Sequence, residues 1–114
     1  MLKVYGIKNC DSVRKALKFF DEHGIGYEFV DFRRTPADCA KIDAWLETAD
    51  IDTLFNARSA TYRTRGLKSL GLDARGKRDW LCKENLLIKR PVVEKENRVI
   101  IGFNQTLYEG EFLS

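Results

Sequence analysis

The spacing of apolar and polar positions in the N-terminal third of the chain predicts a β-α-β order. Residues 2–5 form a short apolar run that is typical of a strand. Over residues 11–23 the apolar side chains recur at the i, i+3, i+4 and i+7 spacing of one helical face, and Gly24 follows as a stop. The aromatic-rich residues 26–32 predict a second strand. The predicted buried face of the helix consists of Val13, Ala16, Leu17 and Phe20.

The middle of the chain has a helical pattern that glycines interrupt. Thr35 is the predicted N-cap of a helix in which Pro36 takes the first position. Between residues 51 and 85 the pattern predicts short helical segments and no strand, the last segment covering about residues 73–84. The apolar face of the first of these helices consists of Ile42, Trp45, Leu46 and Ala49, and the predicted breaks lie at Gly66, Gly71 and Gly76.

The C-terminal part predicts a hairpin and a closing helix. Two apolar runs after Pro91 flank the polar stretch "EKEN", and Asn104 is the predicted N-cap of the last helix. The whole order is that of an α/β, thioredoxin-like fold with a mixed four-stranded sheet, in which the first two strands are parallel. We expect a single domain over residues 1–114, with an inserted all-helical subdomain at about residues 36–85.

Composition and charge narrow the possible functions. The formal net charge is only +3 and no concentrated basic tract occurs, which argues against nucleic-acid binding. No apolar run approaches the ~18 residues that span a bilayer, and the N-terminus does not have the pattern of a secretory signal. We therefore expect a cytoplasmic protein that does not bind a membrane.

The cysteines are three in number and lie far apart in the sequence. The chain has no C-x-x-C motif, and its one histidine, His23, lies at a predicted helix end, so no metal site is expected. Cys39 falls in the first turn of the second predicted helix and Cys82 near the end of another. Both are predicted to be structural residues, although a resolving role for Cys82 stays open.

Cys10 differs from the other cysteines because "IKNCDS" is polar on both sides of it. It lies at the turn from the first strand into the first helix, where free N–H groups and the positive end of the helix favour a thiolate. The alternative is an inert small apolar residue, but that role suits an apolar setting. We therefore predict a reactive thiol. The residues expected to act around it are Lys8, Asn9, Asp11, Ser12 and Arg14.

A second group of candidates is basic, and most of its members are expected to form a solvated surface. Arg90 is different because it precedes Pro91, which holds it in an extended conformation at the entry to a strand. In the predicted sheet this loop faces the turn at Cys10, and Pro91 is then expected to be a cis proline beside the thiol. The other members of the group are Arg58, Arg63, Arg65 and Lys89.

Three stretches, "YGIKNCDSVRKA", "NARSATYR" and "IKRPVV" with "VIIGF", resemble the ArsC-like family of glutaredoxin-coupled arsenate reductases and their relatives, most closely its YffB branch. The resemblance implies a thioredoxin fold with an inserted helical subdomain, Cys10 as nucleophile and an anion pocket built from arginines. Arg90 matches the family's arginine before proline. Arg58 matches the arginine of the middle segment, with Arg63 as the alternative.

The chain also departs from the patterns of this family. Arsenate reductases of this type carry a third arginine after the hairpin, where this chain has Gly102 and Phe103, so one arsenate contact is missing. Spx-like regulators of the same family usually carry a C-x-x-C switch, whose second cysteine is here Val13.

The resulting expectation is a thiol-dependent reductase that uses glutathione as co-substrate and binds no cofactor. Cys10 would attack a small oxidised or anionic substrate or a glutathione disulfide, and glutathione or glutaredoxin would resolve the intermediate. Two alternatives remain open. One is an Spx-like, non-catalytic regulator that binds a protein such as RNA polymerase, and the other is a true arsenate reductase.

Overall fold

A four-stranded sheet forms the centre of the computed structural model, which describes residues 1–113. The strands follow the order β2-β1-β3-β4, with β1 parallel to β2 and the other two pairings antiparallel. This mixed sheet and its connections confirm the predicted thioredoxin-like fold. The strands are β1 (Leu2–Gly6), β2 (Tyr27–Asp31), β3 (Val92–Lys95) and β4 (Arg98–Ile101).

Helices cover both faces of the sheet. One face carries α1 (Asp11–Glu22) and α6 (Gln105–Phe112). The other carries the segment between β2 and β3, which is helical as predicted, and whose Phe55 forms an isolated bridge with Ile88. That segment consists of α2 (Cys39–Leu46), α3 (Ile51–Leu54), α4 (Ala60–Thr64) and α5 (Ala74–Lys83), with 3-10 turns at Leu67–Leu70 and Asn85–Leu87.

The alternation of side chains along the strands divides the interior into two clusters. Val4 and Val93 face α1 and α6, whereas their neighbours Tyr5 and Val92 face the helical segment between β2 and β3. Within α1, the buried residues include Phe19, while the predicted Leu17 is only half-buried. We call the α1 and α6 side of the sheet the aromatic face and the opposite side the insertion face.

The predicted start of α2 is wrong by three residues. Asp38, not Thr35, is the N-cap, and its side chain accepts a hydrogen bond from the backbone N–H of Lys41. Thr35 belongs instead to a turn in which its N–H donates to the carbonyl of Asp31 at 2.8 Å. The helix also ends before Ala49.

Other predicted helix boundaries have mixed outcomes. Gly24 takes a left-handed conformation after α1, His23 is the C-cap, and Asn104 caps α6, as predicted. Gly66 and Gly71 also have positive φ and flank the first 3-10 turn. The predicted break at Gly76 is wrong. Asp73 caps α5 by accepting the Gly76 N–H, so that this glycine lies inside the helix.

Cys39 and Cys82 are not independent structural residues, because they form a disulfide with Cα atoms 5.1 Å apart. The prediction treated each cysteine alone, and the pairing depends on α2 packing against α5. Cys10 is the free cysteine, and a resolving partnership between Cys82 and Cys10 is not observed.

Within residues 1–113, no helix has both the length and the apolar character needed to cross a membrane. No cluster of three or more His, Cys, Asp or Glu side chains suited to a metal ion occurs in the same residues.

Candidate active site around Cys10

Cys10 is the N-cap residue of α1, with an extended backbone at φ −146° and ψ 124°. Its carbonyl accepts the N–H of Arg14 at 3.0 Å, but its side chain makes no capping hydrogen bond. N–H groups in the first turn of a helix have no acceptor within that helix. Cys10 is half-buried and its thiol is free. Because Cys10 is the N-cap residue, the thiol lies at the positive end of α1 without making a capping hydrogen bond.

Gly6 explains why α1 can begin so close to β1. A Cβ atom at this position would lie 2.7 Å from Cγ2 of Val13, a residue that is fully buried in the first turn of α1. Glycine therefore permits the close approach that sets Cys10 at the end of the sheet. The same contact shows that the fourth position of a C-x-x-C motif is occupied here by a core residue.

Arg14 does not present an unpaired charge to the thiol, contrary to expectation. Its guanidinium binds the carboxylate of Asp11 at 2.7 Å and lies 3.4 Å from Oδ1 of Asn9. The side chains of Asp11 and Arg14 are both largely exposed. The sequence showed the three residues but not that they bind one another, so Arg14 is not a source of unpaired positive charge beside the thiol.

Lys8 and Ser12 occupy different positions around the turn. Lys8 is exposed and lines a cavity of about 540 Å³ on the β2 side of the molecule, with Lys3, Arg34 and Lys41 among the other lining residues. Ser12 is half-buried in the first turn of α1. Glu28, Asp31 and Asp38 also line the cavity, so its charge is mixed, and the lining as described does not include Cys10.

The Arg90–Pro91 peptide bond is cis, as predicted. The register pairs Tyr5 with Val92, so the next residue of β1, Gly6, lies opposite Pro91 at the same end of the sheet as the start of α1. The N–H of Gly102 donates to the Pro91 carbonyl at 2.8 Å and fixes this segment against the end of β4. Arg90 is half-buried, and its side chain has no hydrogen-bond or ion-pair partner in residues 1–113.

Arg58 and Arg63 differ in what their guanidinium groups contact. Arg63 donates from Nη1 to the carbonyl of Arg58 at 3.1 Å and lines a separate cavity of about 740 Å³ with Lys68. The Arg58 side chain is exposed and finds no partner among the described residues, while its N–H donates to Oδ1 of Asn56. Of the two, Arg58 is the one whose guanidinium makes no hydrogen bond or ion pair within residues 1–113.

The loop that carries Arg58 is joined to the segment that carries Arg90. The N–H of Lys89 donates to Leu54, and the N–H of Asn56 donates to Leu87, each at 2.8 Å. These two bonds flank the bridge of Phe55 with Ile88. The insertion is therefore fixed to the chain immediately before Arg90 by backbone hydrogen bonds.

A polar network that the sequence analysis missed lies on the insertion face. Glu94 accepts from Trp45 Nε1 at 2.8 Å, Lys41 Nζ at 3.0 Å and the Tyr5 hydroxyl at 3.1 Å. Partial burial tends to raise the pKa of Glu94, but the hydrogen bonds from Trp45 and Lys41 outweigh it and hold that pKa below its usual value. The available signal was the alternation of β3, which puts Glu94 on the same face as the buried Val92.

The pKa values of Tyr5 and Lys41, which bind Glu94, shift upward. Burial and the negative charge of Glu94 raise the pKa of Tyr5, and the hydrogen bond to Glu94 raises the pKa of Lys41. The Lys41 ammonium also lies 5.7 Å from the centroid of the Tyr5 ring. The network fixes α2 against the sheet through a paired charge.

Comparison with known proteins identifies extensive similarity. The model of the ArsC family matches residues 5–110. An uncharacterised protein of Haemophilus influenzae is 36% identical over 98% of this chain and 99% of its own length. The global transcriptional regulator Spx of Listeria innocua is 25% identical over 92% of this chain and 82% of its own length.

Solved structures give the same result. The structure of a YffB protein superposes with a TM-score of 0.88 at 29% identity, covering 96% of this chain and 97% of its own. An arsenate reductase related protein from Brucella melitensis has a TM-score of 0.76 at 33% identity and covers 97% of this chain and 93% of its own. The similarity therefore extends over the site as well as the sheet.

Proposed function

Because the chain belongs to the ArsC family, we propose that it is a thiol-dependent reductase whose nucleophile is Cys10. The observation that carries the proposal is the state of the three cysteines. Cys39 and Cys82 bind each other, and Cys10 is free and half-buried at the N-terminus of α1. A free thiol at a helix N-terminus has the setting of reactive cysteines.

The proposed chemistry is thiol–disulfide exchange with glutathione as co-substrate. The Cys10 thiolate attacks the glutathione sulfur of a mixed disulfide, and the other sulfur leaves as a thiolate that takes a proton from water. A second glutathione thiolate, or a glutaredoxin thiolate, then attacks the glutathione sulfur bound to Cys10. That step releases the Cys10 thiolate and a new disulfide, so no bound cofactor is needed.

Arg90 and Arg58 are the proposed anion-binding residues. Both guanidinium groups have no hydrogen-bond or ion-pair partner within residues 1–113, which supports this role, since a planar guanidinium holds two carboxylate oxygens well. Arg63 is less suited because its guanidinium already binds the Arg58 carbonyl. Lys8 and the first-turn N–H groups of Asp11 and Ser12 would add further positive potential.

Arsenate is not the substrate that this site favours. Gly102 is buried and takes a left-handed conformation at φ +80°, so a side chain at that position would be strained. Phe103 packs edge-on against Tyr108 with ring centroids 4.8 Å apart. Neither position supplies a third arginine, and we expect weak or no arsenate reduction in the presence of glutathione and glutaredoxin.

A regulatory role is the second candidate, and the similarity to Spx favours it. In this case the chain would bind a protein such as RNA polymerase, and Cys10 would respond to oxidation only by forming an adduct. The fully buried Val13 leaves no neighbouring cysteine for a local disulfide. Catalytic turnover separates the two candidates, since a regulator needs none.

The decisive experiment uses purified protein and glutathione disulfide. Peptide mapping should locate a glutathione adduct on Cys10, and reduced glutathione or glutaredoxin should release it over repeated cycles. The matched control is Cys10→Ser, which retains the other two cysteines. An adduct that forms but does not turn over would favour the regulatory role, and absence of any adduct on Cys10 would refute both roles for this thiol.

Substitution of Arg90 tests the anion-binding role. Arg90→Ala removes the charge and Arg90→Lys keeps it without the planar fork, so both should weaken glutathione binding by roughly ten- to a hundred-fold. Arg75→Ala, an exposed change on α5, is the control and should leave binding unchanged. Unchanged affinity in both Arg90 variants would remove this residue from the site.

A further inference from the structure

The Cys39–Cys82 disulfide joins two helices of the insertion. Cys39 is the first residue of α2, Cys82 lies one residue before the end of α5, and the two are 43 residues apart in sequence. Both are half-buried. The pair is separate from the free thiol at Cys10, so any chemistry at this disulfide is independent of the reaction proposed above.

A cavity of about 250 Å³ opens beside this disulfide. Its lining includes Cys82 with Phe32 and Pro36, but Cys39 is not part of the lining as described for residues 1–113. Of the two cysteines, Cys82 is therefore the one that adjoins the cavity. An attacking molecule held in this cavity would approach the disulfide from the side of Cys82.

The charges around the cavity favour an anionic molecule. Arg33 and Lys83 line it and are both exposed. The Lys83 ammonium lies 4.7 Å from the Trp80 ring centroid, a contact that leaves its positive charge uncompensated. Glu84 also lines the cavity, but its carboxylate is bound by Arg65 at 2.9 Å. The lining therefore presents two unneutralised cations beside a disulfide.

The position of Cys39 suits it as the leaving group. It begins an eight-residue helix, and thiolates are favoured at helix N-termini. A thiol that leaves as a stabilised thiolate leaves faster. The position of the cavity and the position of Cys39 thus both favour attack at Cys82 with Cys39 as the leaving group.

Other contacts would keep α2 and α5 together once the disulfide opens. Asn85 accepts the Ala37 N–H at 2.7 Å and donates to the carbonyls of Ala37 and Leu81. Arg78 binds both carboxylate oxygens of Asp43, at 2.8 and 2.6 Å. The disulfide is therefore one of several links between these helices, and opening it does not require the insertion to unfold.

We propose that Cys39–Cys82 is a reversible thiol-exchange site for small anionic thiols of the glutathione class. A thiolate in the cavity attacks Sγ of Cys82, forms a mixed disulfide there and breaks the bond to Cys39, which leaves as a thiolate. A second thiolate attacks the ligand sulfur of the mixed disulfide, releasing Cys82 and a two-ligand disulfide. Two electrons thus pass from two thiols to the protein disulfide, and water protonates the released cysteine thiolates.

The test uses Cys10→Ser protein, so that the outcome does not depend on chemistry at Cys10. The oxidised variant is treated briefly with reduced glutathione and quenched with iodoacetamide, and its peptides are mapped. We expect molecules that carry glutathione on Cys82 and a carbamidomethyl group on Cys39. Glutathione on Cys39 instead, or no exchange in the folded protein, would overturn the proposal, as would free thiols at both positions before treatment.

Charge variants test the role of the cavity. Arg33→Gln and Lys83→Gln should each slow the reaction with glutathione by about two- to five-fold, the range expected for one exposed ion pair. The neutral thiol 2-mercaptoethanol should react at unchanged rates. Lys18→Gln, an exposed change on α1, is the control. Equal slowing with both thiols, or no slowing with glutathione, would contradict attack through this cavity.

Discussion

Both faces of the sheet bury apolar side chains, but the insertion face is held in addition by a disulfide and by long-range polar links. On the aromatic face, Phe20 packs against Tyr108 and Phe112 with ring centroids 5.6 and 5.0 Å apart. The hydroxyl of Tyr108 donates to the Gly102 carbonyl at 2.7 Å, and burial raises the pKa of Tyr108. On the insertion face, the helices are joined by a disulfide and by directional polar contacts to Glu94 and Asn85.

This difference shows which kind of contact a sequence pattern can predict. Burial of apolar side chains is not directional, so a helical stripe of apolar residues is enough to identify the face that packs. The polar links of the insertion join residues far apart, such as Ala37 and Asn85, separated by 48 positions, and Lys41 and Glu94, separated by 53. Each link forms only when the fold brings its two residues together, and the spacing of apolar residues along the chain contains no information about such long-range pairs.

The largest effect is expected on the aromatic face. Phe20→Ala removes a fully buried ring and should lower the free energy of unfolding by about 3–5 kcal/mol. Chemical denaturation monitored by circular dichroism measures the change. Leu107→Ala, at a side chain that is 43% exposed on α6, is the control and should cost much less. Similar losses in both variants would show that this face is not a tightly packed core.

Loss of the disulfide should have the next largest effect. The Cys39→Ser/Cys82→Ser double variant should lower the free energy of unfolding by about 2–4 kcal/mol, because the cross-link restricts the unfolded chain. Hydrogen exchange should accelerate chiefly in α2 and α5, which would sharpen the distinction between the two faces. Cys10→Ser is the matched control. Faster exchange concentrated in α1 and α6 would contradict the comparison.

Glu94→Ala should lower the free energy of unfolding by about 1.5–3 kcal/mol, because it leaves three donors without their charged acceptor. The indole N–H of Trp45 matters most here because that side chain is only 2% exposed. Thermal and denaturant unfolding measure the loss. Glu47→Ala, at an exposed residue at the end of α2, is the control and should change stability by at most about 0.5 kcal/mol. Equal losses of stability in Glu94→Ala and Glu47→Ala would show that the hydrogen bonds to Glu94 do not stabilise the fold.

The smallest expected effect is a dependence on pH. The folded protein holds the pKa of Glu94 below its ordinary value of 4.5, so the unfolded chain takes up this proton at a higher pH than the folded protein does. The stability that Glu94 contributes is complete above that ordinary value and is lost as pH falls through the folded-state pKa. The stability difference between the wild-type protein and Glu94→Gln should therefore narrow between pH 7 and pH 3. A stability difference that stays constant over this pH range would contradict the lowered pKa of Glu94 in the folded protein.

The same distinction applies to the candidate site. The position of Cys10 could be predicted because a polar turn between a strand and a helix is a local feature, and the cis bond before Pro91 followed from the place of this proline in the fold. The pairing of Arg14 with Asp11 has the i, i+3 spacing at which charged side chains on a helix meet, so it had a local signal that the expectation of an unpaired Arg14 beside the thiol did not use. The sequence did not show that the Arg63 guanidinium donates to the Arg58 carbonyl, while the Arg58 side chain makes no such bond within residues 1–113.

The sequence alone determined the order of strands and helices, the helical character of the insertion and the position of Cys10 at the start of α1. These features rest on spacing, capping residues and glycines, which act over a few neighbouring residues. Only the tertiary structure decided that Cys39 binds Cys82 and that Glu94 receives three donors. The physical reason is that these outcomes depend on how α2 packs against α5 and the sheet, and that packing brings together groups between which the sequence contains no local signal.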